Sequence, residues 1–201
     1  LTQPLLSHIK KATINLNFGA GILRVESGSG EELMKGEFTV SKGIKPWIKY
    51  RDKGEERFVE IGSHFTHLWR GENSWKIRLN STIPLSLKVD TGASSNDLDL
   101  SSLRITEFEL NTGASKNNIK FGKINSIHAE IDGGASSIKI LIPRSIGVRI
   151  KTDMALAAHN FDTLGFEKKG DIYFSENYST ADKTLDLDLD VGVSNLKIEF
   201  Y

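Results

Sequence analysis

Leu87–Lys–Val–Asp–Thr–Gly–Ala93, Phe108–Glu–Leu–Asn–Thr–Gly–Ala114 and Ala129–Glu–Ile–Asp–Gly–Gly–Ala135 are one pattern written three times at even spacing. Ile14–Asn–Leu–Asn–Phe–Gly–Ala20 and Leu187–Asp–Leu–Asp–Val–Gly–Val193 carry it twice more. Apolar residues alternate with others, an Asp or Asn stands two before the glycine, and a small apolar residue follows it. The alternation is that of a strand with one buried face. Asx–x–Gly is turn chemistry: the Asx side chain bonds its own backbone, and glycine enters φ > 0 without steric cost. Gly19, Gly92, Gly113, Gly134 and Gly192 are therefore read as structural corners with positive φ. Alternation resumes beyond them, at Leu98–Asp–Leu100, Ile119–Lys–Phe121 and Ile138–Lys–Ile140, as the next strand.

A strand, corner, strand unit that returns after about 21 residues is a repeat of solenoid length. It predicts an all-β fold, a single-chain parallel β-solenoid with coils of that length. At about 4.8 Å per rung the chain makes roughly nine rungs and a rod of about 40 Å. The alternative is an antiparallel sandwich, which needs two-residue hairpin signals such as Asn-Gly, and these are absent.

Residues 26–82 break the period. Gly36–Val40 and Trp75–Leu79 read as strands, and Trp47–Tyr50 and Arg57–Ile61 flank a hairpin turn at Asp52–Lys–Gly–Glu55. Residues 1–82 are thus expected to form N-terminal strands and a hairpin cap, and 83–201 the repeat region, within one continuous domain. Residues 155–182 read as a longer loop, and Met154–Ala158 is the best helical candidate. Asp186, Asp188 and Asp190 form a solvated face opposite Leu185, Leu187 and Leu189, and would blunt an open sheet edge.

The composition excludes several chemistries. Lysine plus arginine balance aspartate plus glutamate at 26 each in 201 residues, so no net field argues for nucleic acid. Residues 1–80 carry 13 basic against 9 acidic residues, a mild dipole along the chain. There is no cysteine, hence no disulfide scaffold, thiolate zinc site or cysteine nucleophile. No apolar run reaches the ~18 residues of a membrane span. No methionine precedes Met34, so Leu1 reads as a processing boundary with a signal, lipid anchor or membrane helices expected upstream.

No nucleophile elbow, phosphate loop or His-Glu-x-x-His motif is present, and short corners build no walls for a polysaccharide-cleaving site. The expectation is no enzyme, no cofactor and no metal. His64 and His67 lack a third ligand, and the Asp186–Asp190 alternation reads as surface before it reads as a calcium site. The aromatic segment is the most suggestive feature. Trp47, Tyr50, Phe65, Trp69 and Trp75 fall together, as a partner-binding hot spot or an end-cap core.

Asn17–Phe–Gly–Ala–Gly–Ile–Leu–Arg–Val25, Leu33–Met–Lys–Gly–Glu–Phe38, Trp75–Lys–Ile–Arg–Leu79 and Ile83–Pro–Leu–Ser–Leu87 occur in a set order. With the Gly–Ala–Ser repeats they resemble the toast-rack β-solenoid (β-helix) domains of LiaF-like, or cell-wall-active-antibiotics-response, bacterial proteins. The resemblance implies membrane helices ahead of the domain and modulation of a sensor histidine kinase that answers envelope stress. It carries over no catalytic residue. The expected function is a non-enzymatic interaction domain of an envelope-associated protein, extracytoplasmic, with a protein partner such as a membrane sensor kinase. The alternative is a module binding wall glycan or a lipid intermediate.

Overall fold

The computed structural model describes residues 1–65 and 71–201, with side chains except at positions 65, 154–157, 193 and 194. The first strands are β1 (Thr2–Pro4), β2 (Lys11–Ser27), β3 (Glu32–Val40), β4 (Ile44–Lys53), β5 (Glu56–Phe65), β6 (Asn73–Leu79) and β7 (Pro84–Asp99). There follow β8 (Arg104–Thr112), β9 (Ser115–Lys120), β10 (Ile127–Gly133), β11 (Ser136–Ile142) and β12 (Gly147–Ala158). A 3-10 turn at Asp162–Leu164, a short hairpin of β13 (Glu167–Lys169) and β14 (Ile172–Phe174), and β15 (Thr184–Phe200) complete the chain. All belong to one large sheet.

The alternation read in the sequence builds two faces. β7 buries Leu85, Leu87 and Val89 before Gly92, then Asn96 and Leu98 after it. β2 and β15 also run straight through their glycines, so each of these three strands belongs to both faces. On face one, β5, the first half of β2, the first half of β7, β8, β10, the first half of β15 and β12 stack in parallel. On face two the parallel order is β6, then the second halves of β2 and β7, then β9, β11 and the second half of β15. Side chains directed inward from both faces form a single apolar core. Phe108 of β8 meets Phe121 beyond β9 edge-on across it, with ring centres 5.6 Å apart.

The strand offsets are unequal. Leu87 pairs with Phe108 and Phe108 with Ala129, two equal steps that match the sequence repeat. At the ends Ile14 pairs with Leu87 and Ala129 with Leu187, steps more than twice as long, because β3–β6 and β11–β14 intervene. Instead of nine evenly spaced rungs, face one holds seven parallel strands among the described residues, about 29 Å of stack.

The corner glycines also differ from expectation. Positive φ occurs at Gly21, Gly43, Gly54, Gly71, Gly165 and Gly170, and at none of the five corners. Gly92 and Gly113 are needed for closeness of stacking. A Cβ on Gly92 would lie 2.5 Å from the Gly19 carbonyl oxygen, and on Gly113 3.1 Å from that of Gly92. Inside the same corner Thr91, Ser94, Asn96, Thr112, Ser115 and Asn117 form a hydrogen-bonded polar ladder.

Antiparallel strands are added at both ends. The hairpin of β4 and β5 turns at Gly54 (φ 61°) and flanks β2, as the sequence predicts. β3 and β1 extend β6 in antiparallel fashion. At the other end, the segment expected as a loop carries the β13–β14 hairpin, antiparallel to β12, and a cluster of Phe161, Phe166, Tyr173 and His159. Asn160 imitates a strand there: its side chain donates to the Ile198 carbonyl (2.8 Å) and accepts from the Ile198 amide (2.9 Å). Met154–Ala158 lies in β12 and is not helical. Asp186, Asp188 and Asp190 do not blunt an edge either, since β10 and β12 flank β15 on both sides.

Candidate functional site

In-register parallel pairing turns positions of the repeat into columns. The residue two before each corner glycine stacks as Asn17, Asp90, Asn111, Asp132 and Asp190, and Asp153 of β12 continues the column. Two residues earlier the column reads Asn15, Lys88, Glu109, Glu130, Asp188 and Lys151. Both columns point outward from face one, opposite the buried aliphatic residues. Beside the first, the glycines leave a shallow groove of about 760 Å³ floored by Gly19, Gly92 and Gly134.

The two halves of these columns differ electrostatically. Towards the N-terminal end the charges are satisfied. Lys88 Nζ donates to Glu109 Oε1 at 2.5 Å, and Asn111 Nδ2 donates to Asp90 Oδ1 and Glu109 Oε1 at 2.7 and 2.8 Å. The Lys88 ammonium accordingly holds the Glu109 carboxyl below its ordinary range. Towards the C-terminal end Asp132, Asp153 and Asp190 have no ion-pair partner among the described residues. They line a cleft of about 230 Å³ with Glu130, Asp188 and Lys151. Partial burial, then the charges of Asp190, Glu130 and Glu109, push Asp132 upward. No group of three or more His, Cys, Asp or Glu among the described residues is arranged to hold a metal ion.

Face two carries several ion pairs: Arg78 with Glu26 and Glu37, Lys76 with Glu26, and Lys139 and Lys197 with Glu199, while Arg24, Asp97 and Lys116 have no ion-pair partner there among the described residues. Lys139 and Lys197 hold Glu199 at a pKa of about 2.

The aromatic candidates separate. Trp75 is fully buried, packed edge-on against Phe18 and Phe38, with its Nε1 donating to Asn73 Oδ1 at 2.8 Å. It is a core residue and offers no surface to a partner. Tyr50 is 57% exposed, at the edge strand β4. Trp47 lies on the outer side of that strand, over Gly62 and beside His64. Trp69, with His67, lies outside the described residues, as does the Phe65 side chain. Sequence reading missed the unpaired carboxylate columns, because their members come from well-separated parts of the chain. The Asp or Asn two before each of the five corner glycines was the available signal.

Residues 5–141 match the family described as the N-terminal domain of toast_rack, DUF2154. A crystal structure of a "putative cell adhesion protein" from Clostridium sporogenes is similar over 99% of this chain and 96% of that one. It shares 30% identity, with a TM-score of 0.85. No curated protein sequence matches the chain.

Proposed function

The chain belongs to the toast-rack family, and from that premise we propose that it is a non-enzymatic interaction domain of a bacterial envelope-associated protein, working by protein–protein contact through face one. The architecture is read as a single-chain parallel β-solenoid whose central coils have the length of the sequence repeat and whose outer coils are lengthened by hairpins. Residues 1–82 form its capped N-terminal part and 83–201 its repeat region.

One observation carries the functional reading: on face one Asp132 and Asp190 stand without an ion-pair partner among the described residues beside a shallow groove, with Asp153 next to them in the smaller cleft. Unneutralised charge on a rigid sheet steers and selects a partner. The similarity to a protein described as a cell adhesion protein agrees with a surface role. In the finer reading the domain is extracytoplasmic, tethered by an upstream membrane segment, and its partner is a sensor histidine kinase of the envelope-stress response.

The test uses the full-length protein in its native membrane. Asp132→Lys with Asp190→Lys is expected to abolish co-purification of the sensor kinase, and Lys139→Glu on face two to leave it intact. Trp47→Ala tests the aromatic end of the same face. Retention of the kinase by the double variant, with a cooperative melt preserved, would reject face one as the contact surface.

A further inference from the structure

Three of the outer strand edges of this sheet are covered, at least in part. β1 lies on β3, the β13–β14 hairpin lies on β12, and the Asn160 side chain occupies the Ile198 main chain of β15. β4 differs: among the described residues it pairs with β5 alone. Lys53 pairs with Glu56 across the two-residue turn at Gly54 and Glu55, and the pair flanking such a turn exchanges both main-chain bonds. Alternation along the strand then directs the N–H and C=O groups of Ile48, Tyr50 and Asp52 away from β5. Among the described residues these groups make no backbone hydrogen bond to another element. Pro46 falls in the same outward set, where its missing N–H removes no ladder bond.

The two sides of this edge differ in chemistry. Lys45, Lys49, Arg51 and Lys53 stand on one side of β4, and the half-buried Ile48 and the 57% exposed Tyr50 on the other. None of the four cations has a carboxylate in ion-pair range among the described residues. Glu60 and Glu56 face Lys49 and Lys53 from β5, where Asn17 and Lys11 hold them. A strand added to β4 would lie about 4.8 Å from the cations and about twice that from these carboxylates. Asp52 is already neutralised by Arg57, which donates to both its oxygens at 2.6 and 2.7 Å. Such an edge rejects its own copy, because two β4 strands side by side bring cations beside cations. The same charges select an acidic strand.

We propose that the β4 edge is a strand-addition site for an extended segment of a protein partner in which Asp or Glu alternates with aliphatic or aromatic residues. Its carboxylates lie beside Lys49 and Arg51 and its apolar side chains beside Ile48 and Tyr50. Its main chain bonds the free groups of Ile48, Tyr50 and Asp52. The edge lies in the plane of the sheet and not on its outer surface, so this contact is separate from the one assigned to face one.

A short synthetic peptide alternating glutamate and valine, titrated into the chain, tests it. Binding is expected to slow hydrogen exchange at the amides of Ile48, Tyr50 and Asp52. It should weaken about tenfold or more in the variant carrying Lys49→Glu and Arg51→Glu, and the lysine–valine counterpart should not bind. Two further peptides leave the protein unaltered, one N-methylated at its glutamate amides and one at its valine amides. Only one edge of an added strand faces β4, so one of them should bind and the other not. Absence of exchange protection by the glutamate–valine peptide at millimolar concentration overturns the proposal and leaves the cations as a device against edge pairing. Equal affinities of the two N-methylated peptides overturn it in favour of charge attraction alone. Equal binding of the lysine–valine peptide overturns the charge selection, and a dimer of the chain joined through β4 overturns it in favour of a second copy.

Discussion

Asn96 donates its side-chain amide to Oδ1 of Asn117, 2.6 Å away and one repeat further along the chain, with both residues essentially without solvent exposure. The pair is a polar rung inside the corner, flanked in its column by Leu23 on one side and Ile138 on the other. A slip of one position would break it, so it fixes the register of the two central repeats.

Asn96→Ala leaves the buried Asn117 acceptor without its donor and is expected to cost about 1–3 kcal/mol. Replacing both asparagines by leucine should cost less than the sum of the two single changes, because both column neighbours are apolar. Urea unfolding of the four proteins in this cycle checks it, and additivity would show that the two amides act independently.

Gly92→Ala and Gly134→Ala should differ. The added Cβ would lie 2.5 Å from the Gly19 carbonyl oxygen in the first case and 3.4 Å from the Gly113 carbonyl oxygen in the second. The first is expected to cost about 1–3 kcal/mol as the backbones are forced apart, and the second to be near neutral. Equal losses in thermal or urea unfolding would contradict the stacking account.

Asp132 sets a pH signature. Its folded pKa is raised, by burial first and then by Asp190, Glu130 and Glu109. The stability of the protonated form is therefore present below the ordinary carboxylate range and lost as pH rises through the raised value. Asp132→Asn should stabilise the fold at pH 7 by about 0.5 kcal/mol, the scale of like charges facing across strands, and do nothing near pH 3. Glu109, lowered by Lys88, behaves oppositely: Glu109→Gln costs stability at pH 7 and not in acid. Unfolding curves at the two pH values decide both signs.

Trp75→Ala is expected to cost about 3–5 kcal/mol, the cost of emptying a buried aromatic site. Tyr50→Ala, at an exposed edge, should stay within about 0.5 kcal/mol. Denaturation midpoints compare them directly, and a mild Trp75→Ala phenotype would place that ring outside the core.

The heptapeptide repeat was enough to read strands, corners, the parallel stack and the β4–β5 hairpin, because period-two alternation is a local property of the chain. The same local reading erred on the glycines. Asx–x–Gly is a turn signal in isolation, whereas at Gly92 and Gly113 the demand comes from the carbonyl of the neighbouring strand, which no single stretch contains. It also left Trp75 undecided between a partner-binding hot spot and an end-cap core, since clustering in sequence does not tell a core ring from an exposed one.

What the sequence determined by itself is the repeat, the all-β alternation and the equality of 26 basic and 26 acidic residues. What only the tertiary structure decided is where those charges go. Parallel stacking brings residues from distant parts of the chain to within about 4.8 Å. It thereby pairs several charges of face two and leaves Asp132, Asp153 and Asp190 of face one without an ion-pair partner among the described residues. A chain neutral in sum becomes a polar surface, because Coulomb interaction depends on distance in space and not on separation along the backbone.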